Sequence, residues 1–237
     1  MSRVDGRRDE QLRPVTITTG VQKDPPGSVQ VSCGDTVVLC AATVAERVPE
    51  WISSSGREHG WVTAEYAMLP GSTPGRVGRQ RRGRWEEIQR LVGRSLRAAV
   101  DLRLLGQRTI TIDCDVLQAD GGTRTAAVTG GWVALVLALR RLREQGLLED
   151  DPLRRGICAV SCALLEDDRV VLDPCYPEDA AARVDANFVL DGQRRLVEVQ
   201  ATAEGEPFAN EVLERMLELA AAGAVRLLGE QRRALEH

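Results

Sequence analysis

Apolar and polar positions alternate in short runs over the first part of the chain. Arg13 to Thr19, Gly27 to Cys33 and Thr36 to Val44 each read as a strand, and Trp61 to Leu69 returns to the same period. Gly34-Asp35, between the second and third runs, is a two-residue hairpin signal. Pro49 to Gly60 holds neither period and reads as a loop. The period then changes. Ile88, Leu91, Val92, Ser95, Leu96, Ala99 and Val100 recur at helical spacing, which predicts a helix from Trp85 to Leu105. Thr109 to Leu117 alternates again, and apolar residues from Ala126 to Leu142 follow at helical spacing, with Thr123 where an N-cap belongs. After Gly146 the order repeats. Ile157 to Leu165, Arg169 to Asp173, Val184 to Leu190 and Leu196 to Thr202 read as strands, with turns at Asp167-Asp168 and Asp191-Gly192. A long amphipathic helix closes the chain from Pro207 to Leu235.

Strands followed by a helix, twice over, predict an α+β fold with helices packed on sheets. The 237 residues, 43% hydrophobic, are ample for a buried core. We expect one domain over residues 1–237, with a polar surface arm over residues 1–11. Leu235-Glu236-His237 reads as the possible start of an expression tag. Six cysteines without C-x-x-C spacing sit mostly in apolar runs and read as small hydrophobes. With only His59 and His237, a zinc site is not expected. No apolar run is read as long enough to span a membrane, and a reducing cytoplasm is the expected location.

The net charge of −4 gives no overall bias toward nucleic acid, but the charge is uneven. Lys23 is the only lysine, so the positive surface is built of planar guanidinium forks that match phosphate. From Gly71 to Arg108 ten arginines meet only Glu86, Glu87 and Asp101. Four of them, Arg76, Arg79, Arg81 and Arg82, lie in a glycine- and proline-rich loop without carboxylates, which suits a grip on an RNA backbone. Arg90, Arg94 and Arg97 form a stripe on the following helix, open to the same use or to pairing such as Glu86–Arg90.

Asp113 to Gly130 carries the densest chemistry. Gly121 and Gly122 fall at a strand-to-helix corner, where free backbone N–H groups and the helix dipole suit an anion, and Arg124 adds a bidentate fork. An ordinary capped helix with a surface arginine fits the same spacing. In the second half Glu178, Asp179 and Asp185 lie in or beside an acidic connector. Two such carboxylates can share a divalent cation or donate a proton, and they can equally just open a turn and a strand. Basic groups in one half and acidic groups in the other are what phosphoryl transfer needs.

Taken together, these segments resemble the RNase PH family of phosphate-dependent exoribonucleases. The resemblance runs from Asp5-Gly6-Arg7 through Gln11-Leu12-Arg13-Pro14, Gly60 to Tyr66, Glu87 to Leu91, Gly93 to Arg97, Ile112 to Thr125, Val197 to Gln200 and Ala203-Glu204-Gly205. It implies a fold of two β-α-β-like halves with mixed sheets, and a homohexameric ring built as a trimer of dimers. It implies phosphate binding by Arg84, Gly122, Thr123 and Arg124, and catalytic or metal-binding roles for Asp179 and Asp185 with Mg²⁺. Inorganic phosphate would be co-substrate, and transfer RNA precursors or other RNA 3′ ends the substrates. The chain departs from the family pattern at Gly71, Trp85, Ala180 and Ala186 and in a shortened arginine loop. The rival readings are a non-catalytic RNA-binding ring subunit and a hydrolytic nuclease.

Overall fold

A computed structural model describes residues 3–79 and 83–236. The first sheet holds β1 (Val15–Thr19), β2 (Gly27–Cys33), β3 (Thr36–Ala45), β4 (Trp61–Met68) and β5 (Thr109–Gln118), in the spatial order β1-β2-β3-β5-β4. Strands β1 to β3 are antiparallel neighbours. Cys33 faces Thr36, so Gly34-Asp35 is the expected tight turn, with Gly34 at φ +57°. The expected loop after β3 contains one helical turn, α1 (Glu50–Ser53), anchored by the fully buried Ile52.

β4 and β5 run parallel, which requires a crossover, and α2 (Gly83–Ala98) supplies it. Trp85, Ile88, Leu91, Val92 and Leu96 line its buried face, each contributing about 1.5–3 kcal/mol by leaving water. The helix ends sooner than its apolar period predicts. Asp101 accepts a hydrogen bond from the Arg103 N–H and starts a separate 3₁₀ turn over Leu102–Leu105. A carboxylate that caps locally gives the backbone an alternative to continuing the helix.

The second sheet is antiparallel, ordered β7-β6-β8-β9, from β6 (Ile157–Leu164), β7 (Val170–Leu172), β8 (Val184–Asp191) and β9 (Leu196–Ala203). β7 and β8 both oppose β6, so they are parallel to each other across it. Following α3 (Thr123–Glu144), the short α4 (Tyr176–Ala180) joins them. Each half thus contains the β-α-β-like unit expected. The last helix, α5 (Asn210–Glu236), begins three residues beyond Pro207, which lies outside its first turn.

α3 packs on β2 and β3 of the first sheet and on β6 and α5 of the second half. Fifteen of its 22 residues are buried. By length and composition alone it could cross a membrane, contrary to the expectation from the sequence, but 83% of its apolar window is buried inside the protein. It is the central core helix, and β2 closes on it so tightly that a Cβ on Gly27 would lie 2.1 Å from the Ala134 carbonyl oxygen. All six cysteines are buried and free. Burial pushes the Cys33 and Cys158 thiols up to about 12, which leaves them unreactive.

Candidate active site

Between β5 and α3 the chain turns through Gly121 at φ +75° and Gly122 at φ +67°. A Cβ on Gly121 would sit 2.6 Å from the Pro174 carbonyl oxygen, so the corner is closed to larger residues. Gly122, not Thr123, is the N-cap of α3. The left-handed backbone of Gly122 makes the turn into the helix, and this frees the Thr123 hydroxyl from capping. Thr123 Oγ1 instead accepts a hydrogen bond from the Tyr66 hydroxyl at 2.8 Å. Tyr66 sits near the end of β4 and is 3% exposed. Its pattern position made it an ordinary core residue, and only its phenol tip distinguishes it. The Arg124 guanidinium donates to Gln200 Oε1 at 3.3 Å and stands 3.8 Å from Glu87. Glu87, not Glu86, is therefore the acidic residue of α2 that reaches an arginine of the site.

Arg84 lies exposed in the first turn of α2. It acts on the same groups as Arg124, since both favour ionisation of the Tyr66 hydroxyl and of the Asp179 carboxyl. Asp179 belongs to α4, whose start is fixed by a capping box between Cys175 and Glu178 with proline in the first turn. Burial is the main cause that raises the Asp179 carboxyl above its ordinary value. Repulsion from Asp185 adds to it, against the pull of Arg84, Arg124 and Arg13. Arg84, Arg124 and Asp185, drawn from three elements, thus all act electrostatically on Asp179.

Asp185 Oδ2 accepts a long hydrogen bond, 3.5 Å, from Asn187 Nδ2. Ser161 donates to Asn187 Oδ1 at 2.9 Å, which turns the amide donor toward Asp185. Ser161 in turn lies 3.4 Å from the Thr125 hydroxyl in the first turn of α3. This buried chain links the Gly-Gly corner to the acidic strand. Single β-strand polar residues gave no sign of it in the sequence. Among the described residues no group of three or more His, Cys, Asp and Glu side chains is placed to hold a metal ion. Asp179 and Asp185 remain as a pair. Their mutual repulsion, only partly offset by Arg84, Arg124 and Arg13, suits a cation that takes its other ligands from water and phosphate oxygens, as Mg²⁺ does.

Glu178 separates from its neighbour Asp179. It is 4% exposed and accepts two hydrogen bonds from Arg3, at 2.8 and 2.6 Å. Arg3 also donates to the Leu172 and Asp173 carbonyls. Asp173, at φ +51°, accepts from Arg13 Nε at 3.0 Å and Nη2 at 2.7 Å. Arg7 donates to the Asp173 carbonyl at 3.0 Å. Residues 3–11, expected as a surface arm, are therefore tied by arginines to the segment that carries α4.

The arginine loop lies beside the corner, since the Ser72 carbonyl accepts from Ala119 N–H at 2.8 Å. Arg76 and Arg79 are exposed in it, and Arg81 and Arg82 lie outside the described residues. The α2 stripe divides. Arg90 is exposed, Arg94 pairs with Glu198, and Arg97 stacks 4.3 Å over Trp61 while donating to the Val62 carbonyl. Trp85 is 5% exposed and belongs to the core cluster of the first half, so this departure from the family pattern is a packing residue.

The chain matches the 3′ exoribonuclease family RNase PH, domain 1 over residues 11–140 and domain 2 over residues 157–223. It is 52% identical over 234 residues to Ribonuclease PH of Methylobacterium radiotolerans, covering 97% of this chain and 98% of that protein. It is 48% identical over 237 residues to Ribonuclease PH of Roseobacter denitrificans, covering 98% and 99%. Rice Rrp46 shares the fold at TM-score 0.80 and 23% identity, over 98% of this chain and 100% of that one. A chain of the Archaeoglobus fulgidus exosome with RNA bound to the active site matches at TM-score 0.80 and 22% identity, over 95% and 91%.

Proposed function

The chain belongs to the RNase PH family and is a phosphorolytic 3′-to-5′ exoribonuclease acting on transfer RNA precursors, with inorganic phosphate as co-substrate; we propose that its chemistry runs where Arg84, Arg124, Asp179 and Asp185 converge. Phosphate is held by Arg84, Arg124, the Thr123 hydroxyl and the backbone of Gly122. One of its oxygens attacks the terminal phosphodiester of the RNA. The bond to the 3′ oxygen of the penultimate nucleotide breaks, and the products are a nucleoside diphosphate and an RNA one residue shorter. The departing 3′ oxygen needs a proton. Asp179, whose carboxyl is raised by burial and by Asp185, is placed to hold one. In the alternative division of roles Asp179 and Asp185, both as carboxylates, would hold Mg²⁺, which would supply neutralisation of phosphate oxygens. Since one phosphate linkage replaces another, the reverse addition of nucleotides to RNA ends runs in the same site.

The observation that carries this reading is the shared reach of Arg84 and Arg124 to Asp179. The exposed Arg76 and Arg79, with Arg81, Arg82 and Arg90, are the proposed contacts to the RNA backbone. The two matched segments would act as one catalytic domain, because the proposed site draws residues from both. Assembly as a cytoplasmic hexameric ring, a trimer of dimers, belongs to the same proposal, and it rests on the likeness to exosome cores. Product analysis on a tailed transfer RNA with orthophosphate varied tests the reaction. Nucleoside diphosphate release in proportion to phosphate is expected. Nucleoside monophosphate without phosphate would mean hydrolysis, and no turnover would leave a binding subunit.

A further inference from the structure

We infer that Arg13 and Thr36 are positioning residues that lock two peptide groups of the Gly121–Gly122 corner, so that their N–H groups face the bound phosphate. This rests on the site reading above. Arg13 comes from the chain before β1 and Thr36 from the start of β3, and neither is placed in contact with substrate.

The Gly121 carbonyl accepts from Thr36 Oγ1 at 2.6 Å and from Arg13 Nη2 at 3.3 Å. The Asp120 carbonyl accepts from Arg13 Nη1. A trans peptide is planar, and its C=O and N–H point in opposite directions. With both carbonyls drawn inward, the N–H groups of Gly121 and Gly122 turn to the other side. Neither finds an acceptor among the described residues. Glycine opposes peptide rotation less than other residues do. Without donors behind it, the corner could present carbonyl oxygens to the anion, which would repel it.

The two locking side chains are themselves held. Asp173 takes Nε, Nη2 and the backbone N–H of Arg13. Thr36 is fully buried, and its hydroxyl also accepts from Asp120 N–H at 2.9 Å. One hydroxyl thus serves as acceptor and donor to successive residues of the same corner. Asp120 completes the frame by accepting from the Tyr176 N–H at 3.1 Å, which joins the corner to the start of α4.

Thr36→Val keeps the shape and deletes the hydroxyl, while Thr36→Ser keeps the hydroxyl. KM for phosphate should rise roughly 10- to 100-fold in Thr36→Val, the worth of one hydrogen bond to a charged group. KM for the tailed transfer RNA should stay unchanged, and Thr36→Ser should restore phosphate use. Arg13→Lys, which keeps the charge and loses the fork, should show the same split and provides the test if Thr36→Val does not fold. An unchanged KM for phosphate, an equal rise for RNA, or equal defects in the Val and Ser variants would overturn the lock. Arg124→Ala run in parallel separates the two levels. If it leaves KM for phosphate unchanged, the site itself is misplaced. If it raises that value and Thr36→Val does not, only the lock fails.

Discussion

Two sets of arginines lie around the Gly121–Gly122 corner, and they differ in what they already hold. In one set, Arg3 and Arg13 are buried and saturated by Glu178 and Asp173. In the other, Arg84 has no ion pair among the described residues, and Arg124 has only a long contact to Gln200 and a distant carboxylate. The carboxylates divide the same way, with Glu178 and Asp173 each accepting from guanidinium groups while Asp179 faces Asp185. Identical side chains thus frame the site or face the substrate according to whether their hydrogen-bonding capacity is spent.

That contrast can be broken by substitution. Glu178→Ala strands a buried guanidinium, which costs about 3–5 kcal/mol. Thermal unfolding should show Tm lower by about 10 °C. A loss no greater than that of the exposed Arg94–Glu198 pair would erase the distinction. Arg84→Ala should do the reverse, lowering kcat/KM in phosphorolysis about 10²-fold, as deletion of a group facing developing charge does, with Tm unchanged. Tyr66→Phe removes the donor to Thr123 and should raise KM for phosphate by roughly 2- to 10-fold, the range of one neutral hydrogen bond. Steady-state kinetics with phosphate varied would read both.

The smallest effect concerns Asp179. Its carboxyl titrates higher in the folded chain than its ordinary 3.8, because burial and Asp185 disfavour the charge. Folding therefore favours the protonated form. That contribution is full below the unfolded value and is lost as pH rises through the folded one. At neutral pH the ionised side chain opposes folding, so Asp179→Asn should raise Tm by about 2 °C. The gain should disappear in acid, and a gain that grows there would contradict the stated cause.

Most strands and the three long helices were legible because period and turn chemistry agree, as at Gly34-Asp35. Arg124, Asp179 and Asp185 stand in local motifs that draw notice in the sequence by themselves, whereas Arg84 is singled out only by the family resemblance. What local patterns do not carry is long-range partnership. Thr36, Tyr66 and Asn187 look like ordinary strand residues, and Arg3 and Arg13 like surface charges. Helix limits were missed where a side chain or a left-handed glycine competes with the apolar period, as at Asp101 and Gly122.

Arg3 and Glu178 are separated by 175 positions. During synthesis the arginine leaves the ribosome long before its carboxylate. The Gly-Gly corner is also made before Asp173 and Tyr176, which hold its frame, so its final shape waits for the second half as well. Arg3 and Arg13 thus wait for partners made much later, and their docking closes the frame around α4.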